Sequence, residues 1–327
     1  MKHFLIFNTS YFGDTILTDP LCRNLKRMYP GCHTVFVANT PYVELARYMD
    51  GVDEVWELDK WGRHRGIAGI WPFYREHKGI YDFAAAFVIY GNERNIILSR
   101  LLGAKKVFSD SNHFYVRLLL DNGVIDYRNW VHEQDKHGYL AELYSKIPAE
   151  SMKMVYHVPK EAFETAERLL AFCEGKPCIA INAMTKQKEK DLKPELVEEL
   201  AVRITAEGYQ PVMVGAGAGA RAFYEGLPKS VQEQFINLID KTTIPELGAV
   251  LKRMKTLISA DTGTAHFALA LGVPVVDVFY INDECNLKTW GPKELYPHRL
   301  IAQGGDFSAQ HVWAEAKELI REATPKH

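Results

Sequence analysis

Leu257-Ile-Ser-Ala-Asp-Thr-Gly-Thr-Ala-His-Phe-Ala-Leu-Ala-Leu-Gly-Val-Pro-Val-Val-Asp-Val-Phe279 holds two apolar runs separated by a polar turn and an alanine-rich segment. Thr256 to Ser259 and Val275 to Tyr280 read as buried strands, because short continuous apolar runs suit a parallel sheet covered on both faces. Between them a tight turn leads into a short helix, from about Gly263 to Leu271. Gly272 and Pro274 end it in the order usual for a helix C-terminus. Asp261 and Thr262 stand where an N-cap belongs. A helix starting at the carboxyl end of a parallel strand offers free N–H groups and a partial positive charge to the crevice beyond the sheet, where an anion such as a diphosphate binds. Two readings stay open: a nucleotide-diphosphate site, or a structural helix that Asp261 and Thr262 merely cap.

Outward from this stretch the same alternation recurs. Before it come a strand at Cys178–Asn182, a lysine-rich loop, a helix from Pro194 to Glu207, a strand at Pro211–Val214, a glycine-rich turn, a helix from about Ala220 to Leu227 and a strand at Phe235–Ile239. The next helix opens with Thr243-Ile-Pro-Glu246, a capping box with proline in the first turn. A last helix is expected from Ala309 to Thr324. The amino-terminal half opens alike: a strand over residues 3–8, a turn delivering Asp14 to a helix that runs to about Met28, then strands at Thr34–Ala38, Glu54–Leu58 and Asp82–Tyr90 with helices between. Leu17, Leu21, Leu25 and Met28 give that first helix an apolar face. The pattern loosens from Ile147 to Pro159, which places a domain crossing there. The expectation is an α/β protein of two Rossmann-like, doubly wound parallel-sheet domains, residues 1–155 and 156–327, facing each other across a cleft where a ligand sits.

The 327 residues are 47% hydrophobic, enough for two cores. A net charge of −2 gives no bulk attraction for nucleic acid. The five cysteines are scattered without a Cys-x-x-Cys pair, which argues for reduced, idle thiols in a cytosol and against a zinc site. No signal-peptide core and no run of about 18 apolar residues is found, so cytoplasmic placement is expected, with any membrane contact peripheral and on the cytoplasmic face.

Four constellations bear on chemistry. Gly215-Ala-Gly-Ala-Gly-Ala220 matches the dinucleotide fingerprint, but the motif expects the first βα unit and an acid about 20 residues on, whereas Asp240 follows Gly215 by 25. A plain glycine-rich connection is the preferred reading, with an NAD-dependent oxidoreductase as the alternative. No two aspartates stand two apart and no oxygen-rich cluster suits magnesium, so no metal is expected. The charge of a leaving diphosphate would then fall to backbone N–H groups and lysines. The loop Asn182–Lys190 supplies Thr185 with Lys186, Lys188 and Lys190, or is simply solvated. Asp14, after a glycine at a sheet's carboxyl edge, is the best candidate for a base; the competing role is an N-cap. Lys60-Trp-Gly-Arg-His-Arg65 and Trp71–Lys78 mix aromatic and basic residues, as a surface gripping an anionic sugar or an anionic membrane face would, or as a solvated loop and helix would. Arg94 lies near a sheet edge at the start of a later helix.

Gly13-Asp-Thr-Ile-Leu-Thr-Asp-Pro-Leu21, Lys241-Thr-Thr-Ile-Pro-Glu-Leu247, Asp261-Thr-Gly-Thr-Ala-His266 with Gly272-Val-Pro274, and Trp290-Gly-Pro292 fall in the order and spacing of glycosyltransferase family 9, the ADP-heptose:lipopolysaccharide heptosyltransferases. The chain resembles that family from its first strand to about residue 300. The resemblance implies a GT-B fold, an acceptor on the first domain, a nucleotide-sugar donor on the second, and an inverting, metal-independent transfer with ADP-heptose as donor and a glycan or glycolipid as acceptor. It implies that Asp14 is the general base, and that Thr262, Gly263 and Thr264 hold the donor diphosphate with Asp261 and His266 beside it. Lys190, after one inserted residue, is similar to the family's lysine on the leaving group, Thr185 to the hydroxyl near it, and Thr242 to the adenine contact. Arg63 and Arg65 fall in a region that resembles the family's acceptor-binding basic segment, and Arg94 is expected to join them at the acceptor. Two stretches depart from the family pattern: Asp191-Leu-Lys-Pro194 replaces a tryptophan and proline, and Tyr280-Ile-Asn-Asp-Glu284 replaces a glycine and threonine near the donor sugar, which leaves heptose or another sugar open. A non-catalytic sugar-nucleotide-binding protein of the same fold is a further alternative.

Overall fold

The computed structural model describes residues 1–111, 114–122, 132–280, 284–302 and 305–323, and for 284–286 the backbone alone. The chain divides into two units, Met1–Val155 and Tyr156–His327. In the first, the order is β1 (His3–Asn8), α1 (Phe12–Ile16), α2 (Asp19–Met28), β2 (His33–Asn39), α3 (Val43–Arg47), β3 (Glu54–Leu58), α4 (Ile70–His77), β4 (Phe83–Val88), α5 (Glu93–Leu101), β5 (Val107–Ser109) and α6 (Glu133–Ser145). The strands form a five-stranded sheet in the order β3-β2-β1-β4-β5 with every pairing parallel.

The second unit runs α7 (Lys160–Leu169), β6 (Cys178–Asn182), α8 (Pro194–Ala206), β7 (Gln210–Met213), α9 (Ala218–Gly226), α10 (Lys229–Gln232), β8 (Ile236–Asn237), α11 (Ile244–Leu251), β9 (Met254–Ala260), α12 (Gly263–Ala270), β10 (Val275–Val278), α13 (Glu284–Trp290), β11 (His298–Ile301) and α14 (Ala309–Ala323). Its six-stranded sheet has the order β11-β10-β9-β6-β7-β8, again wholly parallel. In both sheets the winding direction reverses once, between β1 and β4 and between β6 and β9. In an open parallel sheet the loops leaving such a reversal diverge to opposite faces, so a crevice opens at the carboxyl ends of the two strands. Such crevices are expected at the loops after β1 and β4 in one unit and after β6 and β9 in the other.

Both faces of each sheet are covered, which is why the strands are continuous apolar runs. Leu5, Phe7, Val35, Val37 and Val88 pack with Phe73 of α4 and Ile96 of α5, while Phe4 and Phe87 on the other face meet Tyr144 of α6. In the second unit Ile179, Ile181, Ile258, Val276 and Val278 bury against α8 and the Val312, Trp313 and Leu319 face of α14. Each such side chain contributes about 1.5–3 kcal/mol by leaving water.

Three local expectations need correcting. Instead of one helix from Asp14 to Met28, the chain makes α1 and α2 with a break at Leu17–Thr18. Pro20 has no N–H to give to the preceding turn and is tolerated only near a helix start, so a new helix begins at Asp19. The Thr18 hydroxyl closes α1 by donating to the Asp14 carbonyl at 2.9 Å. A sixth strand, β11, joins the second sheet beyond β10. The thiols of Cys173 and Cys178, buried and free, are not merely scattered but lie in contact at 2.8 Å, and burial pushes Cys178 up to about 12.

Candidate functional site

In the first unit the loop from β1 to α1 is shaped by Asn8, whose amide donates to the Asp14 carbonyl and the Thr18 hydroxyl, both at 2.8 Å, while its oxygen accepts the Ser10 N–H. Asp14 is not the N-cap; it sits at the third position of α1 and reaches back, Oδ2 accepting the Tyr11 N–H at 3.0 Å. Its other oxygen accepts the Tyr90 hydroxyl at 3.2 Å. Tyr90 follows β4, on the far side of the winding reversal, and has a left-handed backbone (φ 55) that costs a side chain of this size energy. Asp110 holds that turn, accepting the N–H groups of Tyr90 at 3.0 Å and Gly91 at 2.8 Å. Burial, and then the charge of Asp14, push the phenol of Tyr90 far above its ordinary range, so it remains a donor. Two loops that leave the sheet reversal thus converge on one carboxylate.

One cation, Lys60, lies within electrostatic reach of it. Lys60, after β3, donates to the Thr9 carbonyl at 2.5 Å; burial and then Arg94 lower its pKa, and Asp14 opposes them. Arg94 opens α5 and donates to the His64 carbonyl at 2.7 Å, with its Nε buried and unpaired. Burial lowers its pKa. Of the three arginines expected together, Arg63 and Arg94 both bind His64, one through its ring and the other through its carbonyl, Arg63 also pairs with Glu76 at 2.6 Å, and Arg65 is exposed. Lys60 opens the aromatic and basic stretch noted in the sequence, whereas Tyr90 was not singled out there; the turn expected at Gly91-Asn92 was the one signal for it.

In the second unit Asn182, at the end of β6, donates to the Thr262 hydroxyl at 2.9 Å and the Ser259 hydroxyl at 3.3 Å. Thr262 is the N-cap of α12, but its hydroxyl belongs to this network and no side chain caps the helix. Thr262 thus takes the expected N-cap position without side-chain capping, and among the described residues the first-turn N–H groups of Gly263 and Thr264 have no side-chain acceptor. Asp261 instead pairs with Lys190, Oδ2 to Nζ 3.0 Å. Lys186 and Lys188 are exposed; Lys190 is half-buried at the β6 side of the same reversal. Thr185 is engaged within its own loop, its hydroxyl donating to the Gln187 carbonyl at 2.6 Å, its N–H bound by Asp191. His266 is buried on α12, and Thr242 is half-buried just before the α11 capping box, where Glu246 accepts the Thr243 N–H at 2.8 Å. Lys190, Asp261, Thr262, Gly263 and Thr264 therefore come together. Of the Tyr280–Glu284 stretch, Ile281 to Asp283 lie outside the described residues, and Tyr280 stacks on Phe307.

The sequence reading passed over Asp277, in the middle of β10 beside Ser259 of β9. It is 1% exposed and its Oδ1 has no partner. Burial first, and the charge of Asp261 second, raise its pKa well above the carboxylate range, favouring the protonated form. A carboxyl inside the run Val275-Val-Asp-Val278 was the available clue, since isolated buried acids are rare.

The glycine-rich turn is closed on itself. Gly217 (φ 90) precedes α9, and its N–H goes to Asp240 at 2.7 Å, while Arg221 pairs with the same carboxylate. The acid that a dinucleotide ribose would need is already occupied. Among the described residues no helix is long and apolar enough to cross a membrane.

Residues 81–302 match the family described as glycosyltransferase family 9 (heptosyltransferase). Over 303 residues the chain is 22% identical to the lipooligosaccharide heptosyltransferase 2 of Haemophilus influenzae, covering 85% of this chain and 83% of that protein. A family 9 glycosyltransferase from Veillonella parvula has the same fold, with a TM-score of 0.86 at 20% identity over 98% of both chains. The ADP-heptose lps heptosyltransferase II of E. coli gives 0.81 at 19% identity, over 98% of this chain and 99% of that one. These structures share the two-sheet GT-B architecture. The sequence match, spanning about two thirds of the chain, adds the chemistry: this protein is a glycosyltransferase and belongs to glycosyltransferase family 9, the heptosyltransferase family.

Proposed function

We propose that the protein transfers heptose from ADP-heptose to a lipopolysaccharide-type glycan by a single inverting displacement that uses no metal. The donor would bind to residues 156–327 and the acceptor to residues 1–155. The observation carrying this reading is the grouping, at the β6/β9 reversal, of an uncapped helix start with Lys190: fixed N–H dipoles and one ammonium are what a departing diphosphate needs when no cation accompanies it. The names of the relatives support the sugar and the nucleotide. Thr185, Thr242 and His266 would complete the donor site, and Arg63, Arg65 and Arg94, with Lys60, the acceptor site.

In this reading Asp14 accepts the proton of an acceptor hydroxyl as its oxygen attacks the anomeric carbon. The bond from that carbon to the diphosphate breaks on the opposite side, which inverts the configuration. The proton ends on Asp14 and the electron pair on ADP, whose charge Lys190 and the N–H groups of Gly263 and Thr264 take up. Tyr90 orients the carboxylate. Work at a membrane's cytoplasmic face fits the exposed Trp61, Ile67 and Trp71 with Arg65 nearby in sequence. The test is a thermal-shift series with ADP, UDP, GDP and NAD, since a ligand stabilises by RT ln(1 + [L]/Kd). ADP should stabilise most; stabilisation by NAD alone would refute the reading. Transfer surviving EDTA is expected for the metal-free mechanism.

A further inference from the structure

The Lys190–Asp261 pair is an odd occupant for an anion site. The start of α12 favours negative charge and so does Lys190, yet a carboxylate of the protein already holds the ammonium at 3.0 Å, with the two side chains only 19% and 11% exposed. Among the described residues Asp261 is the carboxylate paired with Lys190. Asp261 immediately precedes the N-cap of α12, at the mouth of the turn, and its Oδ2 is directed to Lys190. Its arrangement is that of a negative group standing against the same cation that an incoming diphosphate would seek.

We infer that Asp261 is an internal stand-in for the diphosphate: it holds Lys190 in the empty site, yields the ammonium when the nucleotide sugar binds, and takes it back as the nucleoside diphosphate leaves. This rests on the assignment of Lys190 to the leaving group. Two anions competing for one cation lower each other's affinity, and the loss falls on every ligand that must break the resident pair. Asp261 is thus a positioning residue that acts through Lys190 and speeds product release. A carboxylate that only hydrogen-bonds the donor sugar would behave differently: its loss would weaken the nucleotide sugar and leave ADP untouched.

The experiment is calorimetric titration of ADP and of inorganic pyrophosphate into wild type, Asp261→Asn, Lys190→Ala and the double variant, with melting curves to verify folding. Asp261→Asn should bind ADP about tenfold more tightly, and release of a fluorescent ADP analogue should slow in proportion. In the Lys190→Ala background the Asn substitution should lose most of that gain, because the competition needs the cation. Unchanged or weaker ADP binding in Asp261→Asn overturns the inference. So does a gain that persists undiminished without Lys190, which would mean simple repulsion between Asp261 and the phosphates. Failure of folded wild type to bind any nucleoside diphosphate would instead remove the functional reading itself, and the inference with it.

Discussion

Replacing Asp277 by valine should stabilise the C-terminal unit. The carboxyl is 1% exposed, sits between Val276 and Val278 on a strand flanked by β9 and β11, and leaves Oδ1 unpaired. Removing a buried, unpartnered polar oxygen of this kind is worth about 1–3 kcal/mol, and valine is close enough in size to fill the space. A second effect depends on pH. The folded-state pKa is raised by burial and by Asp261, whereas the unfolded chain ionises near the ordinary value of about 3.9. The unfolded state therefore binds fewer protons above that pH, and wild-type stability falls by up to about 1.4 kcal/mol per pH unit until the folded carboxyl itself ionises. Asp277→Asn removes this slope but keeps a buried polar group; Asp277→Val removes both. Differential scanning calorimetry at pH 5, 6 and 7 separates them, at roughly 2–4 °C per kcal/mol for a unit of this size. The valine variant should melt highest throughout, and the asparagine variant should overtake wild type as pH rises. A valine variant less stable than wild type, or three parallel pH profiles, would refute the reasoning.

Asp14→Asn keeps an acceptor for the Tyr11 N–H, so it should fold and leave ADP affinity unchanged while transfer slows by about 10²–10⁴-fold; full activity would remove Asp14 as the base. Thr243→Ala breaks the capping box of α11 and should cost about 1 kcal/mol in a denaturant titration, an unchanged midpoint counting against it. Asp19 is fully buried and accepts the N–H groups of Gly51 at 3.2 Å and Val155 at 2.9 Å. Burial above all raises it to about 7, so wild-type stability should decline from pH 4 toward 7 relative to Asp19→Asn, and a constant difference between the two across that window would exclude the shift.

What the sequence made legible is what local chemistry specifies. The ends of α12 follow from Gly272, which takes φ 76, and from Pro274; the start of α11 follows from Thr243 and Glu246. The position of Asp14 at a sheet's carboxyl edge was legible from the glycine after an apolar run, whereas the choice against an N-cap needed the structure, which puts it third in α1. The break between α1 and α2 was missed because Leu17, Leu21 and Leu25 keep a helical spacing straight through it. β11 was missed because His-Arg-Leu-Ile at a sheet edge is half wet and lacks a buried run. Tyr90 and Asp277 needed the third dimension: one meets Asp14 from 76 residues away, the other is defined by what fails to reach it. The thiol contact of Cys173 and Cys178 depends on how the turn before β6 folds back, which spacing alone does not specify.

The interruption at Leu17–Thr18 leaves one buried residue, Thr18, serving both helical segments. The single turn carrying Asp14 is pinned at one end by Asn8 and closed at the other by Thr18, both of which bind the Asp14 carbonyl. The Thr18 carbonyl meanwhile receives the N–H groups of Leu21 at 3.1 Å and Cys22 at 3.4 Å in the first turn of α2. Loss of the Thr18 hydroxyl would therefore loosen the turn that carries Asp14 at the same residue from which the longer helix starts.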